Sequence, residues 1–154
     1  MAYDSQNRRV EERVLNTSGT TSTRKYTFKT SGVATGKRDK REEYDKDGNL
    51  IQYIVYQYDS QGRFSGIEIY LKNPTPPDTL QGRVTVEYNA EGKQTTGTRY
   101  NADDTVAETY TYTYNSQGLL SRKDIKNPLG VLVSYSLFSY EQGPLIGDQM
   151  EYFF

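Results

Sequence analysis

Residues 44–64 read YDKDGNLIQYIVYQYDSQGRF, and this stretch contains the same short phrase at its start and at its end. Each copy begins with Tyr-Asp, at Tyr44 and at Tyr58, and places a glycine three residues after the Asp. An Asp at the first position of a turn accepts backbone hydrogen bonds, and glycine takes a positive φ at no steric cost. These features predict a type I turn closed by a glycine bulge, which joins two strands of a hairpin. Residues 51–57, between the two copies, are rich in Ile, Val and Tyr and suit a strand.

The phrase recurs along the chain. Further copies, some with Asn in place of Asp, begin at Tyr3, Tyr88, Tyr100, Tyr114 and Tyr140. In the first of them Asn7 replaces the glycine, and Asn is the next residue most tolerant of left-handed geometry. Intervals of 12 residues (88 to 100) and of 14 residues (44 to 58 and 100 to 114) correspond to one strand plus one turn. Such repetition predicts an array of antiparallel strands that follow one another as a meander.

The segments between the turns read as strands, with no convincing helix. Predicted strands cover residues 24–30, 37–43, 50–58, 63–72, 80–88, 93–100, 105–114, 119–126 and 131–140. Residues 7–16 fit a strand or a short helix, residues 16–23 a loop, and residues 144–154 a docked final strand or a truncated end. Residues 73–78 carry three prolines, which a sheet interior does not tolerate, so we expect a surface loop or, less simply, a proline-rich ligand segment.

The predicted fold is all-β: an antiparallel meander of about ten strands that forms an open curved sheet or an incomplete barrel. A closed barrel needs one consistently apolar inner face, and the scarcity of Leu, Ile and Val argues against it. Residues 1–154 are expected to form a single repeat domain. Because the first phrase follows Met1 and Ala2 directly, with no signal peptide, the chain reads as trimmed at a domain boundary or as a piece of a longer protein.

Composition indicates a folded chain with a thin core. The hydrophobic fraction is 34% and the mean hydropathy is −0.87, yet there are 15 Tyr and 5 Phe. Disordered chains are poor in aromatic residues, so this polarity does not indicate disorder. A tyrosine ring covers apolar surface while its hydroxyl stays in water, so we expect tyrosine to supply much of the buried area.

The composition also excludes several classes of function. The formal net charge is −1, with 19 basic and 20 acidic residues, so no nucleic-acid partner is expected. No apolar run of 18 residues occurs, so no membrane span is expected. Without His or Cys the chain lacks the usual general base, the commonest transition-metal ligand and the thiolate. We therefore expect no enzyme activity, no catalytic, cofactor-binding or metal-binding residues, and no cofactor.

Two groups of carboxylates bear on this expectation. Glu42-Glu43 and Asp103-Asp104 are the candidate pairs for a carboxylate-dependent hydrolase, but adjacent side chains on a strand point to opposite faces. The segment from Asp45 to Asn49 superficially resembles a calcium loop, but its glycine falls at the wrong position and it lacks the bidentate Glu. The turn interpretation is therefore preferred over a weak calcium site.

A row of tyrosines on the segment 105–114 has two interpretations. Alternation places Tyr110, Tyr112 and Tyr114 on one face of a strand and three threonines on the other. An exposed aromatic row can stack on sugar rings or receive side chains of a partner. A row that faces its own sheet instead stabilises the sheet through cross-strand contacts, and this second interpretation is preferred.

The phrase YDSQGRF at residues 58–64 resembles the YD repeat of RHS-type bacterial surface and toxin-delivery proteins. Residues 44–50 and 114–120 are similar, and weaker likeness extends over residues 3–8, 88–113 and 140–145. In large members such repeats form a sheet that curls into a shell, which about ten strands cannot close. The chain also lacks the C-terminal core motif and a toxin domain. The resemblance therefore implies an antiparallel meander in a small bacterial envelope or secreted protein with degenerate repeats.

The functional prediction follows from the exclusions and the resemblance together. We expect a non-enzymatic structural or interaction module, located in the bacterial cell envelope or outside the cell. The expected partner is another protein or a glycan. The alternatives are a half-barrel that binds a lipid or a carbohydrate, and a hydrolase that uses carboxylates.

Overall fold

The structure is a computed structural model that describes residues 1–15 and 21–140. In this part of the chain there are eleven strands and no helix. The strands are β1 (Ala2–Tyr3), β2 (Arg9–Leu15), β3 (Thr21–Phe28), β4 (Arg38–Tyr44), β5 (Leu50–Tyr58), β6 (Phe64–Leu71), β7 (Thr79–Tyr88), β8 (Gln94–Asn101), β9 (Val106–Tyr114), β10 (Leu120–Lys126) and β11 (Leu132–Leu137).

The strands form one sheet whose spatial order is the order of the sequence. Each strand pairs antiparallel with the one before it and the one after it, from β1 to β11. The two outermost strands of the described chain do not pair with each other, so the sheet is open and not a barrel. The predicted antiparallel meander is confirmed. No helix long and apolar enough to cross a membrane occurs in the residues described.

The prediction for the first third of the chain needs one correction. The loop predicted for residues 16–23 is wrong at its end, because Thr21, Ser22 and Thr23 belong to β3 and pair with β2. A Ser/Thr cluster reads as loop from composition, but β-branched threonine also fits a half-buried strand once a partner strand is present. The choice between strand and helix for residues 7–16 is settled as strand β2 over Arg9–Leu15. The strand predicted for residues 144–154 lies outside the described residues.

The turns show the predicted hydrogen-bond pattern. In the turn after β5, Oδ1 of Asp59 accepts the backbone N–H of Gln61 at 2.9 Å and of Arg63 at 2.8 Å. Gly62 closes the turn with φ +75°. The same pair of Oδ1 contacts recurs in the turns that begin at Asp4, Asp45, Asn89, Asn115 and Asn127. Asn7 and Asp104 hold the left-handed position where glycine is missing, with φ of 60° and 64°.

One face of the sheet carries most of the core, and we call it face A. Alternation and register place these buried side chains on it: Tyr26, Ile54, Val84, Val86, Tyr110 and Tyr112. The opposite face, face B, carries mainly threonines, charged residues and other tyrosines. The apolar residues on both alternating sets of β5 suggest a strand covered on both faces, but Ile51 on face B is 38% exposed. Coverage of β5 is therefore complete only around Ile54.

The predicted tyrosine row is part of this core. Tyr110 and Tyr112 are buried and form a cluster with Leu120, against which Tyr114, Ile125 and Phe138 pack. The three threonines of β9 lie on face B. Burial on face A agrees with the interpretation of the row as a sheet-stabilising ladder.

Candidate functional site

Every second turn of the meander lies at the same end of the strands, and we call this end of the sheet the row edge. It carries the turns that join β1 to β2, β3 to β4, β5 to β6, β7 to β8 and β9 to β10. In the first four of these turns the residue after the left-handed position is a cation; these residues are Arg8, Lys37, Arg63 and Lys93. In the fifth turn Leu119 takes that position.

Each of these cations precedes one strand and lies over the aromatic ring that ends the next strand, so that Arg8 precedes β2 and lies over the ring at the end of β3. Arg8 is 4.0 Å from the ring centroid of Phe28, and Arg63 is 4.5 Å from that of Tyr88. The lysines lie farther away: Lys37 is 5.9 Å from Tyr58 and Lys93 is 5.6 Å from Tyr114. A cation within about 6 Å of a ring centroid is attracted by the negative face of the ring, by roughly 0.5–1 kcal/mol at an exposed site.

Two of the rings also hydrogen-bond to the strand that starts beside the cation. The Tyr88 hydroxyl donates to the carbonyl oxygen of Phe64 at 2.7 Å, one residue after Arg63. The Tyr58 hydroxyl donates to the carbonyl oxygen of Arg38 at 2.8 Å, one residue after Lys37. In each case a cation lies on a ring, and the hydroxyl of that ring donates to a backbone carbonyl beside the cation. We call this set of contacts a clamp. Each clamp joins one turn of the row edge to the next.

The aspartate of the phrase holds the arginine of its own turn in place. Nε of Arg63 lies 2.7 Å from Oδ2 of Asp59, and Nε of Arg8 lies 2.7 Å from Oδ2 of Asp4. Burial tends to raise the pKa of Asp59, but hydrogen bonds from the side chain and backbone of Arg63 outweigh it and hold that pKa below its usual value. The Asp of the phrase therefore caps the turn and orients the Arg, while the Tyr receives the Arg of the preceding phrase.

A groove with a volume of about 1040 Å³ runs along the row edge. It is lined by Met1, Tyr3, Asn7, Arg8, Arg9, Phe28, Gly36, Lys37, Arg38, Arg63, Phe64, Tyr88 and Gly92. All five charged residues of this lining are cations. Lys37 makes no ion pair with a carboxylate of the described chain, whereas Arg8, Arg9 and Arg63 are paired with Asp4, Glu12 and Asp59. Lys37 is therefore the cation of the groove that is most available to an anionic ligand.

The spacing of the cations follows from the sheet. Neighbouring strands lie roughly 4.8 Å apart, so cations that directly precede every second strand are about 10 Å apart. Arg8, Lys37 and Arg63 directly precede β2, β4 and β6 in this way. The groove is thus a row of positive charges at a regular interval, which fits an extended anionic chain better than a compact ligand.

The candidate carboxylates of a hydrolase are not brought together. Glu42 lies on face B and accepts from Nζ of Lys40 at 2.8 Å, whereas Glu43 lies on face A and accepts from Nε2 of Gln52 at 2.9 Å. In the turn after β8, Asp103 accepts from Thr105, and Asp104 pairs with Arg83 of β7. The expectation that adjacent carboxylates diverge is confirmed for Glu42 and Glu43.

The segment that resembles a calcium loop is a turn. Oδ1 of Asp45 accepts the backbone N–H groups of Asp47 at 2.9 Å and of Asn49 at 2.8 Å. Hydrogen bonds from the side chain and backbone of Asn49 lower the pKa of Asp45. Over residues 1–15 and 21–140, no group of three acidic, His or Cys side chains is placed to hold a metal ion.

Two tyrosines of face B contact other side chains of the same sheet. The rings of Tyr53 and Tyr70 stack with centroids 5.1 Å apart, and Lys40 lies 4.0 Å from the Tyr53 ring centroid. The Tyr53 hydroxyl donates to Asp78 in the proline-containing loop, and the Tyr70 hydroxyl donates to Glu68. These tyrosines are engaged within the chain, which leaves the row edge as the better candidate for a binding surface.

Sequence reasoning did not find the clamps or the groove. The signal is present as the cation after the glycine of one phrase and the Tyr that opens the next phrase of the same edge, as in Arg63 and Tyr88. These residues are 25 positions apart (88 − 63), so their contact depends on the register of the sheet, which a local pattern does not give.

Comparison with known proteins identifies a shared fold and no family. No family model matches the chain, and no curated protein matches it. The chain is similar in structure to a protein of unknown function from Bacteroides fragilis NCTC 9343, with a TM-score of 0.55 and 15% sequence identity. The similarity covers 75% of this chain and 91% of that protein. At this level of identity the comparison shows the fold alone.

Proposed function

We propose that this chain is a non-enzymatic interaction module of the bacterial cell envelope or of the secreted proteins, and that it binds an acidic glycan along the groove. The observation that carries the proposal is the lining of the groove, whose charged residues are all cations. Anionic groups that bind there exchange water for charge-assisted hydrogen bonds with guanidinium and ammonium groups. The envelope or extracellular location rests on the resemblance to YD-repeat proteins.

An extended polysaccharide with regularly placed carboxylates suits the spacing of the row. Successive cations lie about 10 Å apart, because two strand intervals separate them. Same-face side chains of a peptide in β conformation repeat at roughly 6.8 Å and do not match this interval, whereas those of a polyproline II peptide repeat at roughly 9.3 Å, so an acidic peptide is the competing ligand to test. A lipid tail would call for a wholly apolar lining, whereas this lining places five cations among its apolar and aromatic residues.

The arrangement of the carboxylates supports the non-enzymatic part of the proposal. A glycosidase needs two carboxylates that flank one bond, roughly 5–9.5 Å apart. The two candidate pairs engage separate partners: Glu42 and Glu43 diverge to opposite faces, and Asp104 is tied to Arg83. We therefore interpret the groove as a binding surface without a reacting centre.

Calorimetric titration with a galacturonic acid oligosaccharide tests the proposal. We expect binding that weakens as salt is added, since exposed charges are screened. Lys37→Glu reverses the cation that has no carboxylate partner among the described residues and is expected to weaken binding by about tenfold, equivalent to about 1.4 kcal/mol. Lys46→Glu is the matched control, because Lys46 is exposed in the turn between β4 and β5, at the other end of the strands from the row edge. It is expected to leave the affinity unchanged within about twofold.

Three results would count against the proposal. Equal affinity for a neutral oligosaccharide of the same length would remove the role of charge. Equal loss in the Lys46→Glu variant would place the binding elsewhere. Tighter binding of a poly-glutamate peptide than of the uronate chain would assign the groove to a protein partner.

A further inference from the structure

Strand β11 forms an outer edge of the described sheet, and of the usual protections against pairing with another strand it has, within the described residues, only a bulge at Val133. It pairs with β10 on one side only. All six of its residues are exposed, and the largest exposed fractions are 68% for Leu137, 61% for Val133 and 56% for Tyr135. The stretch 127–140 contains no charged residue. Natural sheets usually blunt such an edge with charges, proline, bulges or a very short strand.

The other outer edge of the described sheet, formed by β1, is protected against pairing with another strand. There the outermost strand, β1, has only two residues, which leaves little backbone to pair with. The next strand, β2, carries Arg9, Glu11, Glu12 and Arg13 among its seven residues. The contrast between the two edges indicates that β11 is adapted to receive a strand and β1 is not.

We propose that β11 pairs with β11 of a second copy of this chain, antiparallel, so that two sheets join edge to edge. Every second residue of an edge strand directs its N–H and C=O groups away from the sheet, and these groups supply the hydrogen bonds of the new ladder. Because β11 is uncharged, two copies meet without like-charge repulsion. The pairing has two-fold symmetry and uses the same surface on both subunits, so it closes at a dimer.

The sequence of β11 is suited to pairing with itself. In a register centred on Tyr135, that residue lies opposite its own equivalent, and Ser134 lies opposite Ser136 of the second copy. Ser134 and Ser136 share face A with Ile125 and Lys123, whereas Tyr135 and Leu137 share face B with Asp124 and Arg122. The serines of the two copies thus lie opposite each other on face A. The two Tyr135 side chains lie opposite each other on face B, where cross-strand aromatic pairs are favourable.

Analytical ultracentrifugation of the full chain tests the proposal. We expect the mass to rise with concentration from 17.6 kDa towards twice that value and no further. Tyr135→Glu places two carboxylates opposite each other at the two-fold axis and is expected to raise the dissociation constant at least about tenfold. Tyr3→Glu is the matched control, because Tyr3 in β1 is also 56% exposed, and it is expected to leave the dimer intact.

Hydrogen exchange gives an independent readout that does not depend on a variant. The outward-facing amides of β11 are expected to exchange slowly at high protein concentration and quickly at low concentration, while those of β5 stay unchanged. A monomer at every concentration would overturn the proposal. So would oligomers larger than a dimer that are broken by Tyr3→Glu, because these would show that β1 and β11 pair head to tail.

Discussion

Gly62→Ala is expected to lower the free energy of unfolding by about 3 kcal/mol. Gly62 has a φ of +75°, and a left-handed conformation costs a residue with a Cβ roughly 1–2 kcal/mol. In addition, a Cβ at this position would lie 2.5 Å from the carbonyl oxygen of Val33, so the backbone of the neighbouring turn has to move. Forced contacts of this kind cost about 1–3 kcal/mol. The midpoint of urea unfolding measures the change.

Gly48→Ala is the control for this prediction. Gly48 holds the same turn position with φ +85°, but a Cβ there has no neighbour within 4 Å. Gly48→Ala is expected to lower the free energy of unfolding only by the cost of the left-handed conformation, about 1–2 kcal/mol. Equal destabilisation by the two variants would show that the turn between β5 and β6 does not press against the turn before β4.

Alkaline pH is expected to destabilise the fold steeply. Burial, with a smaller effect of the bond to Glu12, raises the pKa of Tyr26 to about 12, and burial also raises the pKa of Tyr112 above its usual value. Stability from a raised pKa is fully present below the unfolded value, near 10, and is lost as pH rises through the folded value. Tyr26 and Tyr112 together are expected to remove about 2–3 kcal/mol by about pH 11.

Urea unfolding at a series of pH values from about 8 to about 11 measures this loss. Tyr112→Phe removes one of the two titrating groups and keeps its ring, so the decline above pH 10 is expected to become shallower. At neutral pH this variant is expected to be nearly as stable as the parent, because the Tyr112 hydroxyl is buried without a hydrogen-bond partner in the described chain. Stability that stays constant up to about pH 11 would contradict the burial of these phenols.

The strands and turns were predictable from sequence because their chemistry is local. Asp59 and Gly62 determine a turn through hydrogen bonds and a φ value that lie within five residues of each other. The alternation in β9 likewise indicates that Tyr110 and Tyr112 share a face. These patterns need no knowledge of neighbouring strands, so the antiparallel meander could be derived from them.

The clamps and the groove were not predictable because they depend on contacts between hairpins. The ring of Tyr88 reaches Arg63 only because β6 and β7 pair in one particular register. The openness of the sheet was also undecided, since it depends on whether the first and last strands meet. The error at Thr21–Thr23 has the same origin, because their strand character comes from pairing with β2.

A double-mutant cycle between Arg63 and Tyr88 tests most directly the central claim that clamps join neighbouring hairpins. Unfolding free energies of Arg63→Ala, Tyr88→Leu and the double variant give a coupling energy in which the separate loss of the Asp59 contact cancels. We expect a coupling of about 1 kcal/mol. The same cycle between Arg63 and Tyr53, which lies on face B, is expected to give less than about 0.5 kcal/mol. A coupling for Arg63 and Tyr88 no larger than this control value would contradict the claim.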